Sequence, residues 1–328
     1  MLVLLAGGMN GSFAVPMKHT RGWQWEHTWL VWSILGMLVF PLAVAVATVP
    51  GLDAVYRMAG LRPLALTATF GMIWGAGTVL FGLGMRRVGL ALGFGVVLGT
   101  SCSIGTMIPL VILHRDRIFT PAGLLTVTGV GVILGGVAAS TRAGLLREGS
   151  AAQRCGKGSF AAGLSLCLIS GLGSSAMSLA LNESTPISRV AEALGASQSV
   201  SLNPVWPVFL GGGLVVNAAY CVFLLIRRGN IARFGESAAA NVSLVVLMAV
   251  LWSGSNFVYG AGAHGMGSLG LVLGWPIFMA VIVLTANAWG LLTGEWRGAG
   301  RRALMWALGG CLMLVAGIWI IASARDGS

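Results

Sequence analysis

The sequence predicts an all-α integral membrane protein, with about ten transmembrane helices arranged as two inverted five-helix repeats. Three observations predict it. Hydrophobic residues make up 56% of the 328-residue chain and charged residues only 9%, against roughly 25% charged in a soluble domain. Apolar runs of about 18 residues or more recur along the whole length, each long enough to cross a bilayer as a helix. The two halves of the chain also echo each other. In lipid every backbone N–H and C=O must be bonded internally, which leaves helices or a closed barrel. Barrel strands alternate polar and apolar residues, and these runs do not.

The expected spans are 1–17, 28–49, 64–84, 88–113, 121–141, 158–181, 205–226, 239–260, 268–293 and 303–323. The first is short for a full crossing. It lacks a positive n-region, so it is expected to be a helix rather than a signal peptide. The connection 182–204 contains ISRVAEALGA after Pro186, a pattern for one short amphipathic helix at the membrane surface. The connections after the odd-numbered spans carry 14 basic residues and those after the even-numbered ones five. Positive residues favour the cytoplasm, so the odd connections are expected inside and both termini outside. The net charge of +11 thus reads as membrane anchoring and excludes a nucleic-acid partner, whose binder would cluster its basic residues on one face. Cys102, Cys155, Cys167, Cys221 and Cys311 lie far apart with no C-x-x-C pair, so no disulfide frame or metal site is expected. Fifty glycines point to close helix packing, and the pairs Gly71/Gly75, Gly89/Gly93, Gly95/Gly99 and Gly131/Gly135 have the four-residue spacing for it.

The repeat appears when the chain is offset against itself so that Trp74 falls on Trp252. Phe81 then meets Tyr259, Gly82 meets Gly260, Gly84 meets Gly262 and Gly89 meets Gly267. The paired segments read WGAGTVLFGLGMRRVG and WSGSNFVYGAGAHGMG. The expected halves are 1–157 and 158–328. Five spans is an odd number, so the second copy enters the membrane upside down. Inverted repeats around a central site are a recurring design of secondary transporters.

The polar residues narrow the chemistry. No Lys, Arg, Asp, Glu or His falls in the middle of an expected span. A fixed intramembrane charge would suit a charged substrate or an ion path. Its absence points to a small neutral solute such as a sugar. Membrane enzymes need a clustered base, nucleophile or metal ligands, and no HExxH, GxSxG or paired carboxylates occur. No cofactor is expected. An exporter or permease for another neutral metabolite, a passive channel and a membrane-embedded enzyme are the alternatives. The intramembrane polar groups are Asn10, Thr78, Ser174, Ser178, Asn217, Ser253, Ser255, Asn256 and Asn287. Trp74, Thr78 and Phe81 are spaced by four and three, and so are Trp252, Asn256 and Tyr259, which puts each set on one helix face. Aromatic faces stack on the C–H face of a sugar while an amide reads its hydroxyls. Trp74, Thr78, Trp252, Asn256, Tyr259 and Trp275 are therefore the expected substrate-binding residues, the alternative being aromatic packing stripes.

Four segments together resemble a known family: MRRVGLALGFGVVLGTSCSIGTMIP, TRAGLLRE after the fifth span, W-x-W-E-x-T-W from Trp23 to Trp29, and GEWRGAGRR after the ninth span. They are similar to bacterial L-rhamnose/proton symporters of the drug/metabolite transporter superfamily, and the resemblance spans nearly the whole chain. It implies ten helices, a multi-pass place in the bacterial inner membrane among its lipids, and uptake of L-rhamnose with a proton. A proton-coupled carrier needs a group that titrates. The candidates sit at helix rims: Glu26, His27, Glu183, His264 and Glu295. His264 is preferred, because the repeat register places it on Arg86 and an imidazole titrates in the physiological range.

Overall fold

Trp25 opens a helix three residues before the expected start at 28. Gln24 ends the preceding extended stretch with ψ 171°, and Glu26 lies in the first turn, where an acid complements the helix dipole. In a computed structural model the chain is described for residues 1–88, 90–113, 115, 118–148, 157–267, 270–294 and 296–323. Gly89, His114, Asp116, Arg117, Cys155, Glu295, Arg325 and Asp326 lie outside the described residues, as do the side chains of Arg86 and Ser178.

The described residues form thirteen α-helices and no strand. They are α1 (Leu2–Ser12), α2 (Trp25–Ile34), α3 (Phe40–Thr48), α4 (Leu52–Ala59), α5 (Leu61–Val88), α6 (Leu90–Leu113) and α7 (Pro121–Glu148). Then follow α8 (Lys157–Glu183), α9 (Thr185–Ala193), α10 (Val205–Arg228), α11 (Ala238–His264), α12 (Gly270–Leu292) and α13 (Arg301–Ser323). Eight stretches among them are long and apolar enough to cross a membrane, and a shorter apolar helix covers Gly95–Ile108. The surface agrees with a lipid setting. Leu308, Leu312, Val315 and Trp319 are all exposed along α13, at spacings that form one outward stripe.

Helices α2 and α3 are one span joined by a π turn at Leu35–Val39. Pro41 explains the turn. It has no N–H to donate and its ring crowds the carbonyl four residues back, at Met37, so the ladder widens there. The short helix α4 was absent from the expected spans. Its eight residues are bracketed by Gly51 and Gly60, both at positive φ. Asp53 pairs with Arg57 at 2.7 Å one turn on. The Ala54 backbone N–H, followed by that guanidinium, holds the Asp53 carboxyl below the usual carboxylate range.

The chain divides into two packing units. The first comprises Met1–Ala76 with Ala180–Gly265, the second Gly77–Leu179 with Met266–Ser328. Each draws on both of the expected halves, 1–157 and 158–328. In the first unit, α5 approaches α10 through glycines. A Cβ on Gly75 would lie 2.7 Å from the Gly213 carbonyl oxygen, and one on Gly213 would lie 2.9 Å from the Trp74 ring. At the far end of α10, Tyr56 donates to the Pro204 carbonyl at 3.0 Å and Asn203 donates to Thr48 Oγ1 at 2.8 Å. Burial pushes the Tyr56 hydroxyl up to about 12.

In the second unit, α7 and α13 meet along Gly129, Gly136, Gly310 and Gly317. A Cβ on Gly136 or on Gly310 would sit 2.9 Å from the other's carbonyl oxygen. Small residues let backbones approach this closely. Of the expected pair Gly131/Gly135, Gly131 has nothing within 4 Å, whereas a Cβ on Gly135 would meet the Met313 side chain of α13. The contact repeats every seven residues on each helix, a period that a search at four-residue spacing misses. Elsewhere in the unit, Ser170 donates to the Gly77 carbonyl at 2.7 Å. The Trp275 indole N–H donates to the Ser101 carbonyl at 3.2 Å.

Candidate functional site

The first unit gathers a chain of aromatic rings. On α2, Trp25, Trp29 and Trp32 are spaced by four and three, so they share a face. Trp25 and Trp29 stack at 5.1 Å between centroids, and Trp29 and Trp32 meet at 4.5 Å. Trp32 meets Trp252 of α11 edge-on at 4.8 Å. Trp252 in turn stacks on Trp74 of α5 at 5.7 Å with a 27° interplanar angle, and Trp74 touches Phe209 of α10 at 5.7 Å. Offset and edge-on contacts at these separations are the favoured aromatic geometries. Four helices thus hold one aromatic cluster.

Amides and hydroxyls surround it. Asn217 accepts the Trp29 indole N–H at 2.9 Å and donates to the Gly213 carbonyl at 3.0 Å. Asn10 donates to Ser255 Oγ at 3.0 Å. Ser253 donates to the carbonyl of Gly36, inside the π turn, and so satisfies part of the ladder that Pro41 loosens. Asn256 follows Trp252 by one turn and is 1% exposed, yet its Nδ2 has no partner. The Trp32 and Trp206 indole N–H groups are also buried without partners. A buried polar group without a partner carries a desolvation cost, so each such group in a folded protein calls for an explanation. Of these unmatched donors, Trp32 belongs to the ring chain and Asn256 lies one turn from Trp252 on α11.

Trp74, Trp252, Asn256 and Tyr259 lie in the first unit, with Tyr259 fully buried. Thr78 and Trp275 lie in the second, where the Trp275 indole N–H is already taken by Ser101. Trp74 and Trp252 stack on each other directly, with no space between their rings. His264 ends α11, half-buried, with Nε2 lacking a partner. Asn287 donates to its own helix, at the Val283 carbonyl. The sequence reading omits Trp25, Trp29 and Trp32 from the site. Their four-three spacing is the signal that finds them, since it matches the spacing of the two stripes it selects.

Glu26 and His27, expected at a rim, are fully buried in the first turn of α2. Glu26 pairs with Arg228 at 2.8 Å. The earlier helix start explains the difference, because it carries both residues inward against the end of α10.

Comparison with known proteins meets this geometry over the whole chain. The family model for L-rhamnose-proton symport protein (RhaT) matches residues 1–324. The L-rhamnose-proton symporter of Salmonella dublin is 31% identical over 320 residues, covering 95% of this chain and 93% of that protein. The one from Escherichia coli O1:K1 / APEC is 30% identical over 326 residues, covering 97% and 95%. With a match that runs through every helix of the aromatic cluster and past the end of α13, the chain belongs to the L-rhamnose-proton symport protein family.

Proposed function

We propose that this chain carries L-rhamnose into the cell together with a proton. The observation that supports it is the family match, which spans nearly the full length of this chain and of its relatives. The protein is a transporter rather than an enzyme, and a multi-pass protein of the bacterial inner membrane. Its expected setting is lipid, with no nucleic-acid partner. On this reading Trp74 and Trp252 part to admit the sugar and flank it, and Asn256 hydrogen-bonds a hydroxyl. Thr78, Tyr259 and Trp275 are secondary contacts, and His264 is one candidate for the proton-carrying group. The finer architecture belongs to the same proposal: ten helices as inverted repeats over 1–157 and 158–328, in the drug/metabolite transporter superfamily. The unmatched Asn256 amide and Trp32 indole support a ligand with hydroxyl acceptors. No charged side chain belongs to the ring cluster, which favours a neutral sugar.

The test is uptake of labelled L-rhamnose by right-side-out vesicles under an imposed pH gradient. Accumulation should collapse with a protonophore and fall with unlabelled L-rhamnose, while a sugar acid should not compete. Uptake that only equilibrates would make the protein a passive channel. No uptake of L-rhamnose would move the substrate to another neutral metabolite.

A further inference from the structure

The crossing of α2 and α10 holds a second polar site that sugar binding leaves unused. Glu26 is 0% exposed and is the one acid among the buried polar residues of the described chain. Both its oxygens face donors: Arg228 Nη1 donates to Oε2 at 2.8 Å and Asn230 Nδ2 to Oε1 at 2.7 Å. Gln24 Oε1 accepts from the same Asn230 amide at 2.9 Å. The first turn of α2 is thereby tied to the last turn of α10 and the residues after it. Arg228 is 37% exposed, so the pair reaches solvent on one side. The Asn230 Oδ1 atom is buried without a partner.

Other ionisable groups surround the pair, among them Arg227 in the same last turn of α10 and Tyr220, whose ring meets Trp25 edge-on at 6.3 Å. On α2, His27 directs Nε2 to the Asn230 carbonyl at 3.0 Å and packs its ring on Phe234 at 4.7 Å. From α10, Arg228 and the Cys221 thiol feel the Glu26 charge. In the following Ile231–Gly235 turn, Arg233 donates to the Gly22 carbonyl at 3.3 Å and pairs with Glu236 at 4.0 Å. Helix α11 carries no acid, Lys or Arg, and only Tyr259 and His264 titrate along it.

We propose that Glu26 binds the coupling proton and that its neutralisation unlatches α2 from α10. This rests on the proton-symport reading and names the group that performs the coupling. An ionised carboxylate only accepts hydrogen bonds, whereas a protonated one must also donate. A proton on Oε1 meets the Asn230 amide, which reverses to present Oδ1, the atom now without a partner. Arg228 keeps its charge and turns to the solvent it already touches. When the proton returns to water the carboxylate regains both donors and the latch closes. Only the O–H bond forms and breaks. Coupling follows because the helix released at Glu26 also carries Trp25, Trp29 and Trp32, the start of the ring chain leading to Trp252 and Trp74.

The test compares wild type, Glu26→Gln, Glu26→Asp and His264→Gln in membrane vesicles. One assay is gradient-driven accumulation of labelled L-rhamnose, and the other is counterflow without a gradient. With one proton per sugar, a gradient of about one pH unit supports about tenfold accumulation. Glu26→Gln should lose that accumulation while counterflow persists. Glu26→Asp should still accumulate sugar. Wild-type accumulation by Glu26→Gln overturns the proposal, and so does loss of coupling confined to His264→Gln. If Glu26→Gln loses counterflow too, Glu26→Asp decides: accumulation supports a proton-binding carboxylate, and its loss overturns the proposal in favour of a structural ion pair. Wild-type protein without L-rhamnose counterflow defeats the symport reading itself, and this proposal with it.

Discussion

Asn256→Leu should weaken sugar binding about tenfold while leaving the sugar-free protein at least as stable as the wild type. The amide is 1% exposed with Nδ2 unmatched. In the sugar-free state it therefore contributes a desolvation cost of about 1–3 kcal/mol. Leucine has similar volume and no polar atom, so the substitution removes that cost without opening a cavity. In the sugar-bound state the same amide gains a hydroxyl acceptor. One such bond is worth about 1–1.5 kcal/mol net, and about 1.4 kcal/mol is a factor of ten in affinity. The two effects have opposite signs, which separates a binding role from a packing role. Affinity is read from calorimetry on purified protein, and stability from thermal unfolding with and without L-rhamnose. The variant should unfold no lower than wild type without sugar and gain less when sugar is added. Wild-type affinity would refute the reasoning. A drop in sugar-free stability would refute it as well, because it would mean the amide is satisfied inside the protein.

Three further outcomes are expected. Gly136→Leu should lower the unfolding temperature by the equivalent of about 1–3 kcal/mol of overpacking, because its side chain meets the Gly310 carbonyl, whereas Gly131→Leu should change little with nothing within 4 Å; detergent unfolding curves compare them. Tyr56→Phe should cost about 1 kcal/mol of hydrogen bond to Pro204. Because burial raises the Tyr56 hydroxyl from an ordinary value near 10 to about 12, the stability it adds is complete below pH 10 and lost as pH climbs to 12. The wild-type advantage over the Phe variant should fade across that window. A reporter active only in the periplasm should be silent when fused near Gly149 and active near Ser197, as the distribution of basic residues requires; the reverse pattern overturns the orientation.

Most helices were legible because a span in lipid must be long and apolar, and both properties are local. The stretch 205–226 is expected and Val205–Arg228 is found; 303–323 is expected and Arg301–Ser323 is found. The amphipathic helix after Pro186 is likewise present as α9. Helix α4 was not legible, since its eight residues are too few for hydrophobic periodicity to stand out from a connection. The start of α2 was misplaced for a related reason: Glu26 and His27 look like solvent residues until a partner for the charge is known. That partner, Arg228, lies some two hundred residues away. The four-three spacing selected Trp74 and Trp252, whose rings stack in the structure. The same spacing could not show that Thr78 falls in a different packing unit, because a helix face says nothing about where its neighbours change.

The π turn in the first long span has a rotational consequence. An α-helix advances about 100° per residue, so the residue accommodated between Leu35 and Val39 sets the azimuth of everything before it relative to α3. The ring chain from Trp25 through Trp29 to Trp32 reaches Trp252 through Trp32 with that insertion in place. Removing one residue from the turn would swing the tryptophan face about 100° around the axis, without altering any ring or its spacing. The Ser253 hydroxyl bonded to Gly36 pins this setting from the neighbouring helix. The aim of the aromatic face therefore depends on Ser253 and Pro41 as well as on the contacts of the tryptophans themselves.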